Sequence, residues 1–143
     1  MSTHNKEAQV ASFAATIQYG VVTIQGLLAG NGGGVTALFA LKGGNDLHRY
    51  VDAAAVFASG FVFALVCSFC SYFSQGLLTR SAAAGAAGAA GSEDKAEDKA
   101  REWGSKGMKW RSGAIIFGLF SLACLVGGGV LSFSIAMYAE LPR

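Results

Sequence analysis

Three stretches of this sequence carry neither a charged side chain nor a histidine, and each is long enough to cross a lipid bilayer. They lie between Glu7 and Lys42, between Asp52 and Arg80, and between Arg111 and Glu140. The second, 53–79, reads AAAVFASGFVFALVCSFCSYFSQGLLT, and the third, 112–139, reads SGAIIFGLFSLACLVGGGVLSFSIAMYA. A helix of 27 or 28 residues rises about 40 Å, more than a hydrocarbon core of about 30 Å. The excess predicts tilting or projection into the headgroups. With 52% hydrophobic and 14% charged residues, against about 25% charged in a soluble domain, the 143-residue chain reads as one all-α membrane domain with three transmembrane helices. That leaves little chain for a soluble catalytic domain.

The first run is too long for one span. Its 34 residues include Gln18, Gln25 and Asn31, and then Gly32, Gly33 and Gly34. The preferred reading has an amphipathic surface helix over about 6–18 and a first span over 20–41, kinked or broken at Asn31, Gly32 and Gly33. The other reading spans at 10–29 and makes 35–41 a re-entrant piece, with the glycines as its turn. Seven residues cross only about 10 Å as helix, which argues against the second. A cleaved signal peptide is not expected, because the N-terminal stretch lacks a basic cluster and its apolar run is long and interrupted by amides.

Lys and Arg positions predict the orientation. The N-terminus and the 80–111 connection, which three spans place on one side, hold Lys6, Arg80, Lys95, Lys99, Arg101, Lys106, Lys109 and Arg111. The other side holds Lys42, Arg49 and Arg143. The excess of basic residues predicts that the N-terminus and 80–111 are cytoplasmic and the C-terminus outside. Tyr19, Tyr72, Trp103 and Trp110 toward one side, with Tyr50 and Tyr138 toward the other, fit two interfacial belts.

The 80–111 connection starts with SAAAGAAGAAGS, which reads as a flexible linker or weak helix. The duplicated EDKAEDKA follows, with Glu97 and Arg101 spaced i,i+4 and Asp98 and Arg101 i,i+3, as on a short solvated helix. A soluble partner docking at 93–111 is the other use of such a run. The tail WGSKGMKWR sets Trp103, Met108 and Trp110 among Lys106, Lys109 and Arg111, as expected where a chain re-enters anionic headgroups.

Small residues recur every four positions: Gly26, Gly30 and Gly34 in the first span, and Cys124, Gly128, Ser132 and Ala136 in the third. Such rows let helix backbones approach closely, either within one chain or between copies. The triple glycine beside Asn31 has two readings, a close-packing kink or a broken helix lining an ion path. The absence of Asp, Glu, Lys, Arg and His from the spans favours the kink. Cys67 and Cys70 form a C-x-x-C with no second pair, whereas a zinc site needs about four ligands. His4 and His48 fall on opposite sides, and buried cysteine more often packs as a small apolar group. GNGGG lacks the Lys and Ser or Thr of a phosphate-binding loop, and no nucleophile has a base near it in sequence. No catalytic, cofactor or metal residue is expected, and no nucleic-acid partner.

The run LLAGNGGGVTALFAL, the element SYFSQ and the opening WRSGAIIFG together resemble a loosely defined group of small bacterial inner-membrane proteins with an Asn-Gly-Gly-small element in the first span. The resemblance implies a bacterial inner membrane and supports 20–41 as a span. It carries no activity with it, and 81–100 falls outside it. The sequence therefore predicts a non-enzymatic membrane protein acting through helix association, as a homo-oligomer or as a subunit of a larger complex. The alternative is a pore-forming or membrane-permeabilising protein of the kind made by phages or in bacterial defence.

Overall fold

The computed structural model describes the backbone of residues 3–41, 50–89 and 95–139, and the side chains from residue 17 onward apart from 19, 41, 87, 89 and 139. Three long helices account for almost all of it: α1 (Thr3–Leu41), α2 (Val51–Ala89) and α3 (Ala96–Ala139). All three are long and apolar enough to cross a membrane. At about 1.5 Å per residue, the 39 residues of α2 rise about 58 Å and the 44 of α3 about 66 Å, roughly twice a hydrocarbon core.

That surplus length changes the reading of the 80–111 connection. Apart from 90–94, which lies outside the described residues, and a turn at Lys95, it is helical throughout. α2 continues through Arg80 to Ala89 and α3 already runs from Ala96, so of the two readings of the alanine-glycine stretch the helix is the one seen over 81–89. The reason is visible in its packing. Ser81 Oγ donates to the Ala100 carbonyl at 2.6 Å, and a Cβ on Gly88 would sit 3.5 Å from Ala96 Cβ. Residues with little or no side chain bring the two backbones close enough to hold each other, which a linker in isolation would lack.

α2 and α3 form an antiparallel pair whose register is set by serine hydroxyls. Ser121 Oγ donates to Gly60 O at 2.8 Å, Ser74 Oγ to Gly107 O at 2.9 Å, and Ser81 Oγ to Ala100 O. Each seven-residue step along α2 is answered by a seven-residue step back along α3. Ala53, Gly60, Cys67 and Ser74 are accordingly buried on one helix, and Gly107, Ala114, Ser121 and Gly128 on the other. A seven-residue repeat is the signature of left-handed coiled-coil packing. Here small residues replace the usual large ones, so the backbones themselves approach.

The same register staggers the uncharged runs. Arg111 lies level with Cys70, so residues 70–79 of α2 run beside Glu102, Lys106, Lys109 and Arg111 of α3. Phe73 stacks on Trp110 at 5.5 Å between ring centroids, and Leu77 and Leu78 lie against Gly107. α1 lies antiparallel to α2, with Leu38 beside Tyr50, Ala53 and Phe57, and Ile24 beside Cys67 and Cys70. All three helices are uncharged together only over about 17 residues each: 22–38, 53–69 and 112–128. That common slab is about 25 Å deep.

α1 is one helix from Thr3 to Leu41 and runs without interruption through Asn31–Gly34. The expected break at the glycines, and the alternative turn into a re-entrant piece, are therefore not what the backbone does there. Packing explains this. Gly34 lies against the Phe57 ring and Gly32 against Phe61, while the Asn31 amide bonds back to Leu27 O, so neighbouring side chains support the helix where glycine weakens it. The expected surface helix over 6–18 is part of the same helix in backbone, and the side chains of 1–16 lie outside the described residues.

Candidate functional site

One polar cluster joins all three helices. Asn31 on α1 and Ser121 on α3 are both 0% exposed, and both face Gly60 on α2. Asn31 Nδ2 donates to Leu27 O at 2.9 Å and to Ser121 Oγ at 3.1 Å, while the Ser121 hydroxyl in turn donates to Gly60 O. The chain amide to hydroxyl to carbonyl satisfies every donor in the cluster. Asn31 Oδ1 accepts from no N–H or O–H among the described residues. It occupies the space above Gly60 that a side chain there would fill, and faces the backbone at the Gly60 Cα, the weaker C–H donor common where helices cross closely.

Residues 31, 60 and 121 fall at the centre of the slab that all three helices share without charge. A buried polar group there costs several kcal/mol if unpaired, so its partners specify how the helices meet. The cluster contains neutral amide, hydroxyl and carbonyl groups, and among the described residues no base hydrogen-bonds to Ser121. Its chemistry is that of a lock between helices.

Next to the lock, glycines receive bulky side chains. The Phe57 ring fits between α1 and α3: a Cβ on Gly34 would lie 2.7 Å from it and one on Gly128 3.0 Å. Gly30 receives Leu125 of α3, with 3.1 Å to a would-be Cβ. Gly118 and Gly113 give room to the thiols of Cys67 and Cys70, at 3.5 and 3.9 Å. Both thiols are free, and they fill notches in the α2 and α3 interface. Among the described residues no three His, Cys, Asp or Glu side chains converge in a group that could hold a metal ion.

The packing rows read from sequence are thus used in part. Gly30 and Gly34 form contacts with α3 and α2, whereas Gly26 has nothing within 4 Å of a would-be Cβ and stays exposed. Of the row on α3, Gly128 is buried, Cys124 and Ser132 are half-buried, and Ala136 is exposed; Cys124 Cβ lies 2.7 Å from the would-be Cβ of Gly60. In the Asn31–Gly33 element, Asn31 is the central residue, Gly32 touches Phe61 and Gly33 touches nothing. Sequence reading missed Gly60, Ser121, Ser74 and Ser81. Their signal was the seven-residue spacing, hidden by the abundance of other small residues.

Toward the basic end, two charge pairs lie at the surface. Lys106 Nζ lies 2.6 Å from Glu102 Oε1, and Arg101 approaches Glu97 at 3.8 Å with both side chains about four-fifths exposed. The Lys106 ammonium, bonded to the Glu102 carboxylate, pulls that carboxyl below its ordinary range. Trp103 is half-buried, and Met108 and Trp110 are exposed.

Compared with protein-family models, with curated proteins and with solved structures, the chain matches none. What fold and site define is a class: an all-helical chain with the make-up of a multi-pass membrane protein, its three long apolar helices joined through Asn31, Gly60 and Ser121.

Proposed function

We propose that this chain is a non-enzymatic protein of a bacterial inner membrane. It works through helix association, as a homo-oligomer or as a subunit of a larger membrane complex. The observation that carries the reading is the paired extension of α2 and α3. α2 runs 16 residues past Phe73, about 24 Å beyond the aromatic pair with Trp110, and α3 lies along it. Spanning a bilayer does not require this length. A rigid rod held beyond the headgroups, with Glu97, Arg101, Glu102 and Lys106 exposed along it, offers a surface to a partner.

The excess of Lys and Arg on the N-terminal and 80–111 side supports a cytoplasmic location for the rod. The rows of small residues support close helix packing, and so does the position of Asn31 in contact with both α2 and α3. Permeabilisation finds less support within a single copy, because the Asn31 cluster closes the centre of the bundle with satisfied donors.

The test is the size and company of the full chain in mild detergent. Assembly predicts a particle larger than a monomer, or defined copurifying proteins. A lone monomer that brings nothing with it and leaks dye from vesicles would overturn the reading in favour of permeabilisation.

A further inference from the structure

A groove of about 1240 Å³ lies between α1 and the α2 and α3 pair. Along α1 it extends from Ile17 to Leu28, and along α3 from Arg111 to Leu122. In the common register the lining runs on past Arg111 to Ile17 and Leu78, and the part from Leu122 out to Arg111, eleven residues or about 16 Å, is close to the roughly 15 Å of one leaflet's hydrocarbon. Its inner end lies at Leu27 and Leu122, beside the Asn31 lock at the centre of the uncharged slab. Arg111 lies at the edge of that slab, level with Cys70, and beyond it the groove is lined by Ile17, Ser71, Ser74, Gln75 and Leu78.

We infer that this groove holds one anionic phospholipid of the leaflet on the basic side. The acyl chains lie against the apolar walls and the phosphate is at Arg111. Three features select this occupant. The part inside Arg111 matches the depth of one leaflet and not of a whole span, so a transmembrane helix would extend past its inner end at Leu122. Polarity runs the right way, from aliphatic side chains at the bilayer centre to Arg111, Ser71, Ser74 and Gln75 at the level of the headgroups. Arg111 is exposed and forms no ion pair with a described carboxylate, so its charge is open to a phosphate, which guanidinium binds well. The inference rests on the chain spanning a bilayer, and on neither its orientation nor its assembly state.

The experiment reconstitutes the full chain in bilayer discs of equimolar phosphatidylglycerol and phosphatidylcholine and counts retained lipids by native mass spectrometry. One phosphatidylglycerol per chain is expected, in preference to phosphatidylcholine. Arg111→Gln should lower that preference about fivefold, the worth of one basic residue at an anionic surface. Gly20→Trp fills the groove from a position where nothing lies within 4 Å, and should abolish retention while leaving helicity and thermal unfolding unchanged. Equal retention of the two lipids, or retention indifferent to both substitutions, overturns the inference. So does a dimer carrying no lipid, which would assign the groove to a second copy.

Discussion

The amide oxygen of Asn31 stands where residue 60 would carry its side chain, so the identity of one residue on α1 requires glycine on α2. The same methyl position would lie 2.7 Å from Cys124 Cβ of α3. Gly60→Ala must therefore push two helices outward at once. Overpacking of this kind costs about 1–3 kcal/mol. Gly33→Ala, which meets nothing, should be neutral or stabilising by up to about 1 kcal/mol through helix propensity. Thermal unfolding in detergent compares the two, and equal effects would mean that Asn31 does not sit against Gly60.

Ser121 mediates between Asn31 and Gly60, so neither bond is independent of the other. A double-mutant cycle of Asn31→Ala and Ser121→Ala should give a coupling energy of about 0.6–1.7 kcal/mol, the range of interhelical hydrogen bonds in membranes. Additive losses would place the two side chains out of contact.

The extension of α2 and α3 depends on small residues facing each other. Ala100→Leu, opposite Ser81, should separate the rod and expose 80–111 to protease, whereas Ala83→Leu on the exposed side should not. Equal cleavage rates in the two variants would contradict the register.

Glu102 titrates below the ordinary carboxyl value of 4.5 because Lys106 bonds to its ionised form. A lowered folded-state value means that the pair supports its turn at neutral pH. The support is lost as pH falls through that value. Carboxyl NMR should find the Glu102 midpoint below 4.5 and Lys106→Met should return it to the ordinary range. An unchanged midpoint in the variant would remove Lys106 as the cause.

Eight basic residues against three predict the orientation, with the C-terminus outside. A reporter active only outside the cytoplasm, fused after Arg143, should be active, and a cytoplasmic one silent. The reverse pattern would invert the topology.

The three long helices were legible in the sequence because exclusion of charge over some 20 residues is a one-dimensional property: lipid tests each residue of a span by itself. The charges that ended those runs did not mark the ends of the helices, since Ser81 and Ala100 hold α2 and α3 together beyond them. Nor did the four-residue rows identify the contacts. Gly34 and Gly128 pack on Phe57, but Gly26 and Ala136 face outward, and the working period along α2 and α3 is seven.

By itself, then, the sequence determined that the chain is helical and apolar enough to cross a membrane three times, through hydropathy and through glycine and alanine that permit close approach. Only the tertiary structure decided which small residues are used. Register is a property of two helices together: sliding α3 by a few residues would leave every span equally apolar, yet would take Ser121 away from Gly60 and leave Asn31 buried without its partner.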